Sequence, residues 1–178
     1  MNSNQHTAGL IARRQSIVIG LAIVAAVVAL AWMVAGRSSQ PAPQVEFKTL
    51  TGQQLTTADL RGKVVLVNFW ATSCVTCVKE MPMLVDTHRK YASRGYETVA
   101  VAMHYDRPDY VVNFTETRGL PFKVVLDVDN RIATAFDKTQ ITPTSFVLDK
   151  HGRIVKRYVG EPKEAELHRL IEQELAAS

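Results

Sequence analysis

Apolar positions follow two regimes along the chain. Ile17 to Ala35 (IVIGLAIVAAVVALAWMVA) is a run of 19 uncharged, overwhelmingly apolar residues. That is the length an α-helix needs to cross a hydrocarbon core of about 30 Å. From Val45 onward, short apolar runs alternate with segments of helical period, punctuated by Gly, Pro and Asp. VEFKTL followed by TGQQ predicts a first hairpin over 45–57. After the Gly62 turn, KVVLVNFW is a continuous apolar run, the pattern of a central strand buried on both faces. Residues 74–93 predict a helix interrupted at Pro82 and ended by Gly95. YETVAVAMH predicts a second buried strand, 108–118 a helix stopped by Gly119, FKVVLD a strand and 131–136 a short helix. PTSFVLD and RIVKRYVG flank a DKHG turn as a hairpin. Residues 163–177 close the chain as an amphipathic helix burying Leu167, Leu170, Ile171 and Leu175.

Strands that alternate with helices and then finish in a hairpin plus helix imply an α/β domain with a mixed sheet covered on both faces. The expected organisation is a cytoplasmic segment over 1–16, a transmembrane signal-anchor over 17–35, a tether over 36–44 (GRSSQPAPQ) and one folded domain over 45–178. Arg13 and Arg14 precede the apolar run and only Arg37 follows closely, so the positive-inside rule puts the domain on the far side of the membrane. A cleaved signal peptide is the competing reading, because Ala29-Leu30-Ala31 resembles a small-residue cleavage site; the run is longer than a usual signal core.

Charge narrows the function classes. The net charge is +4, but residues 1–40 hold three arginines and no acid. Removing them from the 21 basic residues leaves 18 against 17 acidic ones, so the folded domain is nearly neutral and no nucleic-acid face is implied. A 47% hydrophobic composition is ample for a core of this size. No Gly-rich nucleotide fingerprint is present.

The chemistry lies in Cys74-Val75-Thr76-Cys77, the only cysteines in the chain, at a strand-to-helix junction. Spaced i and i+3, they can close a small disulfide ring and reopen it. A bridge across so short a loop removes little entropy from the unfolded chain, so a purely structural role is energetically poor. A zinc site is the alternative, but the pair supplies two of four usual ligands, and His88, His104, His151 and His168 show no ligand spacing. Cys74, at the helix amino terminus, is the expected nucleophile, because unpaired N–H groups and the helix dipole favour a thiolate there. Asn68 interrupts the apolar strand on the side shared by Val64, Leu66 and Trp70. Glu80, three residues past Cys77, shares a helix face with it.

The stretch VVLVNFWATSCVTCVKEMP resembles the active-site segment of thioredoxin-like proteins, most closely the membrane-anchored TlpA/ResA branch. The resemblance extends through YETVAVAM, GLPFKVVLD, ITPTSFVLDKHGRIV and the last helix. It implies a thioredoxin-like fold, thiol-disulfide oxidoreductase activity without a cofactor, and a single-pass location in the bacterial inner (cytoplasmic) membrane with the catalytic domain in the periplasm or extracytoplasmic space. It further implies that Glu80 accepts the Cys77 proton. Pro143 is implied to be the cis-proline facing the cysteines, with Thr142 pairing an extended client segment beside Cys74. Trp70 is expected beside the disulfide, contributing to client binding, with a core aromatic as the alternative. Expected partners are client proteins carrying disulfides or cysteine pairs, such as apocytochrome c or copper-site assembly proteins, a membrane electron donor for re-reduction, and the bilayer through 17–35. The chain departs from many relatives in having Thr76, rather than Pro, before the second cysteine. Redox potential and the direction of electron flow are therefore not transferable. A thiol peroxidase and a copper-binding assembly factor of the same fold are the alternatives. Asn68 to Cys74 lacks the proline that the first carries ahead of its cysteine, and the second usually has wider cysteine spacing.

Overall fold

The computed structural model describes Gln40–Ala177 and, ahead of them, Ala25 alone. Apart from Ala25, the expected membrane span over 17–35 and the segment before it lie outside the described residues. Among the described residues, no helix is long and apolar enough to cross a membrane.

Among the described residues, eight strands form two sheets. β1 (Gln40–Pro41), β4 (Val64–Trp70), β5 (Tyr96–Ala102), β6 (Lys123–Leu126), β7 (Thr144–Leu148) and β8 (Arg153–Val159) make a six-stranded sheet in the order β1-β8-β7-β4-β5-β6. β4, β5 and β6 run parallel, whereas β7 is antiparallel to β4, and β8 to β7. β2 (Glu46–Lys48) and β3 (Gln54–Thr56) form the expected hairpin as a separate two-stranded sheet. The helices over 40–177 are α1 (Val75–Tyr91), α2 (Pro108–Arg118), α3 (Arg131–Ala135) and α4 (Glu164–Ala176).

Every side chain of β4 and of β5 is buried, as a strand covered on both faces requires. Strand alternation divides them into two cores. Val64, Leu66 and Trp70 of β4 pack with Cys77, Met81, Leu84 and Tyr91 of α1, Val111 of α2, and Leu167 and Ile171 of α4. Val65, Val67 and Phe69 pack on the opposite face with Phe47 and Leu55 of the hairpin, and with Ile132, Ala133 and Phe136. Full burial of one such aliphatic or aromatic side chain is worth about 1.5–3 kcal/mol, so the two clusters fix which face each helix covers.

Two boundaries and one burial pattern differ from the sequence reading. Gln40–Pro41, expected in the tether, pair with Ile154 and Arg153 of β8, and Ala42 is buried with its N–H on the Gly152 carbonyl at 2.9 Å. An uncharged, proline-rich stretch still has carbonyl and amide groups that satisfy an open sheet edge, which composition does not reveal. α1 ends at Tyr91 rather than at residue 93, and a 3₁₀ turn over Ala92–Arg94 leads to Gly95 at φ 94°. That left-handed residue is the reason the helix stops where glycine stands. In α4, Leu167 and Ile171 are fully buried, while Leu170 and Leu175 are only half-buried.

Candidate active site

Because β7 is antiparallel to β4 and β8 to β7, one edge of the sheet collects four loops. The end of β4 (Trp70), the end of β5, the start of β7 (Thr144 opposite Phe69) and the end of β8 (Val159 opposite Thr144) all meet there. The cysteines, residues 103–107, the Thr142–Pro143 segment and residues 160–162 therefore share that edge.

The chain leaves β4 through a turn in which the Cys74 N–H reaches the Ala71 carbonyl at 3.1 Å. Cys74 is the N-cap of α1, in an extended conformation, and its Sγ accepts the Cys77 N–H at 3.1 Å. A sulfur held on an otherwise unpaired helix-terminal donor sees the positive end of the helix dipole, which stabilises a thiolate there. Cys74 and Cys77 are joined as a disulfide, with Cα atoms 5.2 Å apart. The two sulfurs are not equivalent: Cys74 is half-buried, whereas Cys77 is completely covered. An incoming sulfur can reach only the first of them. Val75, 83% exposed, stands beside the bridge.

One turn further along α1, Glu80 is fully buried. Its Oε1 accepts from Asn68 Nδ2 at 2.9 Å, and the same Asn68 nitrogen also donates to Ser145 Oγ at 3.0 Å. The register explains this contact, since Asn68 of β4 lies directly opposite Ser145 of β7 beneath α1. Burial pushes the Glu80 carboxyl up from 4.5 to about 7, against the opposing pull of the Asn68 hydrogen bond, with a smaller upward push from Glu161. Glu80 Oε2 and Asn68 Oδ1 are buried without a partner. Glu161 is held at the mouth of this region by Lys79 at 3.2 Å.

The Thr142–Pro143 peptide bond is cis. Pro143 is buried, and its carbonyl accepts the Gly160 N–H at 2.8 Å. Thr142 is half-buried, with its Oγ1 3.3 Å from the exposed Tyr105 hydroxyl. Ile141, next to it, is 62% exposed.

Trp70 needs correction. It is completely buried, packed on Phe114 of α2 with centroids 5.2 Å apart and the rings tilted by 50°, and offers no surface to a client. Strand alternation that turns Asn68 inward turns Trp70 inward too, so its role is packing behind the cysteines. His104 is exposed beyond the end of β5 rather than ending the buried strand. Among the described residues, no group of three His, Cys, Asp or Glu side chains is placed to hold a metal.

Sequence reasoning missed Ser145, Asp106, Glu161 and Tyr105. Ser145 is legible only once β7 is paired with β4. Asp106, whose carboxylate holds Thr72, sits in a loop with no periodicity to mark it.

Residues 37–171 match the Redoxin family. Over 127 residues the chain is 35% identical to the thiol-disulfide oxidoreductase ResA of Bacillus subtilis, covering 71% of this chain and 70% of that protein. The ResA of Bacillus thuringiensis strain Al Hakam is 36% identical over 127 residues, covering 71% and 72%. The crystal structure of a thiol:disulfide interchange protein of the thioredoxin family from Chlorobium tepidum superposes with a TM-score of 0.71 at 31% identity, covering 78% of this chain and 97% of that one. The mixed sheet with helices on both faces is thus a thioredoxin-like fold.

Proposed function

The chain belongs to the Redoxin family, as a ResA-like thiol-disulfide oxidoreductase, and on that premise we propose that it is a membrane-tethered, extracytoplasmic reductant of client-protein disulfides. The observation that carries the direction of attack is the asymmetry of the two sulfurs, one half-buried on a helix terminus and one sealed in the core.

In the reduced protein the Cys74 thiolate attacks one sulfur of a client disulfide. The Cys74–client bond forms, the client S–S bond breaks, and one client sulfur leaves as a thiolate. Cys77 then loses its proton and attacks Cys74 Sγ, forming the Cys74–Cys77 disulfide and releasing the second client thiolate. Two electrons pass to the client. Glu80 is the acceptor for the Cys77 proton: it lies one turn from Cys77 on the same helix, and its carboxyl is poised at about 7, where a group can both take and give a proton at neutral pH. Thr142 and Pro143 hold an extended client segment along the same sheet edge, where Val75 and Ile141 add exposed apolar surface.

Tethering rests on the apolar run over 17–35 and the arginines around it, which support a single span of the inner membrane with the domain in the periplasm. Clients such as apocytochrome c or copper-site assembly proteins, and a membrane donor that re-reduces the pair, follow from the kinship. Trapping tests the reading. Cys77→Ala in the native membrane accumulates client adducts through Cys74, and mass spectrometry names them. Protease added to spheroplasts digests the domain; protection of the domain, or a released soluble form, would overturn the tethered topology.

A further inference from the structure

We propose that Asp106 is a positioning residue for Cys74: by clasping Thr72 through both carboxylate oxygens, it fixes the turn that sets the Cys74 sulfur on the amino terminus of α1. Thr72 lies inside the turn closed by the Cys74 N–H on the Ala71 carbonyl. Its own N–H donates to Asp106 Oδ2 at 2.6 Å, and its hydroxyl donates to Asp106 Oδ1 at 2.6 Å. The carboxylate is itself anchored. The Arg107 N–H reaches Oδ1 at 3.0 Å, the Asp106 N–H binds the Met103 carbonyl at 2.9 Å, and the Met103 N–H binds the Trp70 carbonyl at 3.0 Å. A closed path of hydrogen bonds therefore runs from the end of β4, through the loop after β5, and back to the turn two residues before Cys74.

Charge-assisted bonds of this length are among the stronger ones available to a half-buried side chain. Among the described residues, nothing comparable holds the turn from the other side: Ser73 and Val75 are exposed. Without the clasp, the turn gains freedom, and the Cys74 sulfur spends less time on the Cys77 N–H, the contact that stabilises its thiolate. Asp106 also carries a negative charge on the loop that binds the Cys74 turn, and such a charge close to a sulfur by itself disfavours a thiolate. Positioning and charge thus make opposite predictions on removal of the side chain. The other ionisable groups at this edge are Glu80 beneath Cys77, Lys79 and Glu161 on the next turn and the facing loop, His104, Tyr105 and Arg107 in the loop of Asp106, and Asp109 paired with Arg107. All of them are retained in the variants below.

The inference rests on Cys74 being the attacking sulfur, and the experiment separates the two. The full-length reduced protein is alkylated with iodoacetamide across a pH series, and peptide mapping identifies the cysteine that reacts first. Mapping to Cys77 in the wild type would overturn the attack assignment. With Cys74 mapped, Asp106→Ala is expected to raise its apparent pKa and slow its alkylation at pH 7 roughly three- to tenfold, the size of a lost N-cap contact. Thr72→Val should do the same to a lesser degree, Thr72→Ser should restore the wild-type profile, and Thr72→Val should add nothing in an Asp106→Ala background. Circular dichroism confirms that each variant is folded. Should Asp106→Ala collapse the fold, Thr72→Val against Thr72→Ser carries the test. Faster alkylation after Asp106→Ala would show a charge effect without positioning, and an unmoved pH profile in both Asp106→Ala and Thr72→Val would show that the clasp does not reach Cys74; either result overturns the proposal.

Discussion

Asn68 donates to Glu80 across 2.9 Å, from the middle of the central strand to the helix that carries both cysteines. The contact couples the sheet to a carboxyl buried on α1, and both groups keep one oxygen unpartnered. A carboxyl in this setting is held between two opposing influences, burial favouring the acid and the amide favouring the carboxylate. Moving either one moves the proton affinity of the site.

In the disulfide form, Glu80 binds its proton more tightly when the protein is folded, since its carboxyl stands at about 7 rather than 4.5. Its contribution to stability is therefore complete below about pH 4.5 and is lost as pH rises through about 7, a change on the order of 3 kcal/mol. Denaturant midpoints of the oxidised protein should fall over this window. Glu80→Gln, neutral throughout, should lack this fall. A wild-type profile that matches that of Glu80→Gln would mean that burial does not raise the Glu80 carboxyl.

In the reduced form, the same substitution removes a negative charge one turn from Cys77. Glu80→Gln should lower the pKa of the Cys77 thiol and, with its proton acceptor gone, slow resolution of the mixed disulfide. Thiolate absorbance at 240 nm against pH, compared with single-turnover resolution rates, checks both signs.

Asn68 and Glu161 should act on Glu80 in opposite directions. Asn68→Ala removes the donor that favours the carboxylate and should raise the Glu80 pKa above about 7. Glu161→Gln removes a repelling charge and should lower it. Carboxyl carbon NMR titration of Glu80 separates the two. Shifts of the same sign would refute this balance of influences.

Trp70→Phe is a packing change. A shortened ring behind the cysteines leaves a gap against Phe114, and the expected loss is about 1–2 kcal/mol, below the 3–5 kcal/mol typical of Trp→Ala. Exchange with a protein disulfide should stay within about twofold of wild type while the protein remains folded. A large loss of exchange without loss of stability would return Trp70 to client binding.

Much of this was legible in the chain because burial leaves a one-dimensional trace. KVVLVNFW reads as a doubly covered strand since alternate residues feed two cores, and CVTC reads as redox chemistry since its spacing suits a helix start. What stayed hidden depends on partners far apart in sequence. Asn68 reaches Ser145 across 77 positions, and Thr72 reaches Asp106 across 34, through pairings that no local pattern encodes. Trp70, placed by alternation on the face of Asn68, was read as client surface because adjacency to the cysteines in sequence does not show that Phe114 of α2 covers its ring. The use of Gln40–Pro41 as an edge strand was equally invisible, because its bonds are made by backbone rather than side chains.

The central claim is that Cys74 attacks and Cys77 resolves, and stoichiometric reaction of the reduced protein with insulin tests it most directly. Products are quenched with acid and resolved by mass. The wild type should release insulin chains and recover its own disulfide, with two electrons transferred per molecule. Cys77→Ala should stop at a stable mixed disulfide carried on Cys74, and Cys74→Ala should form neither adduct nor free chains. An adduct on Cys77 in the Cys74→Ala protein, formed as fast as that of Cys77→Ala, would contradict the account.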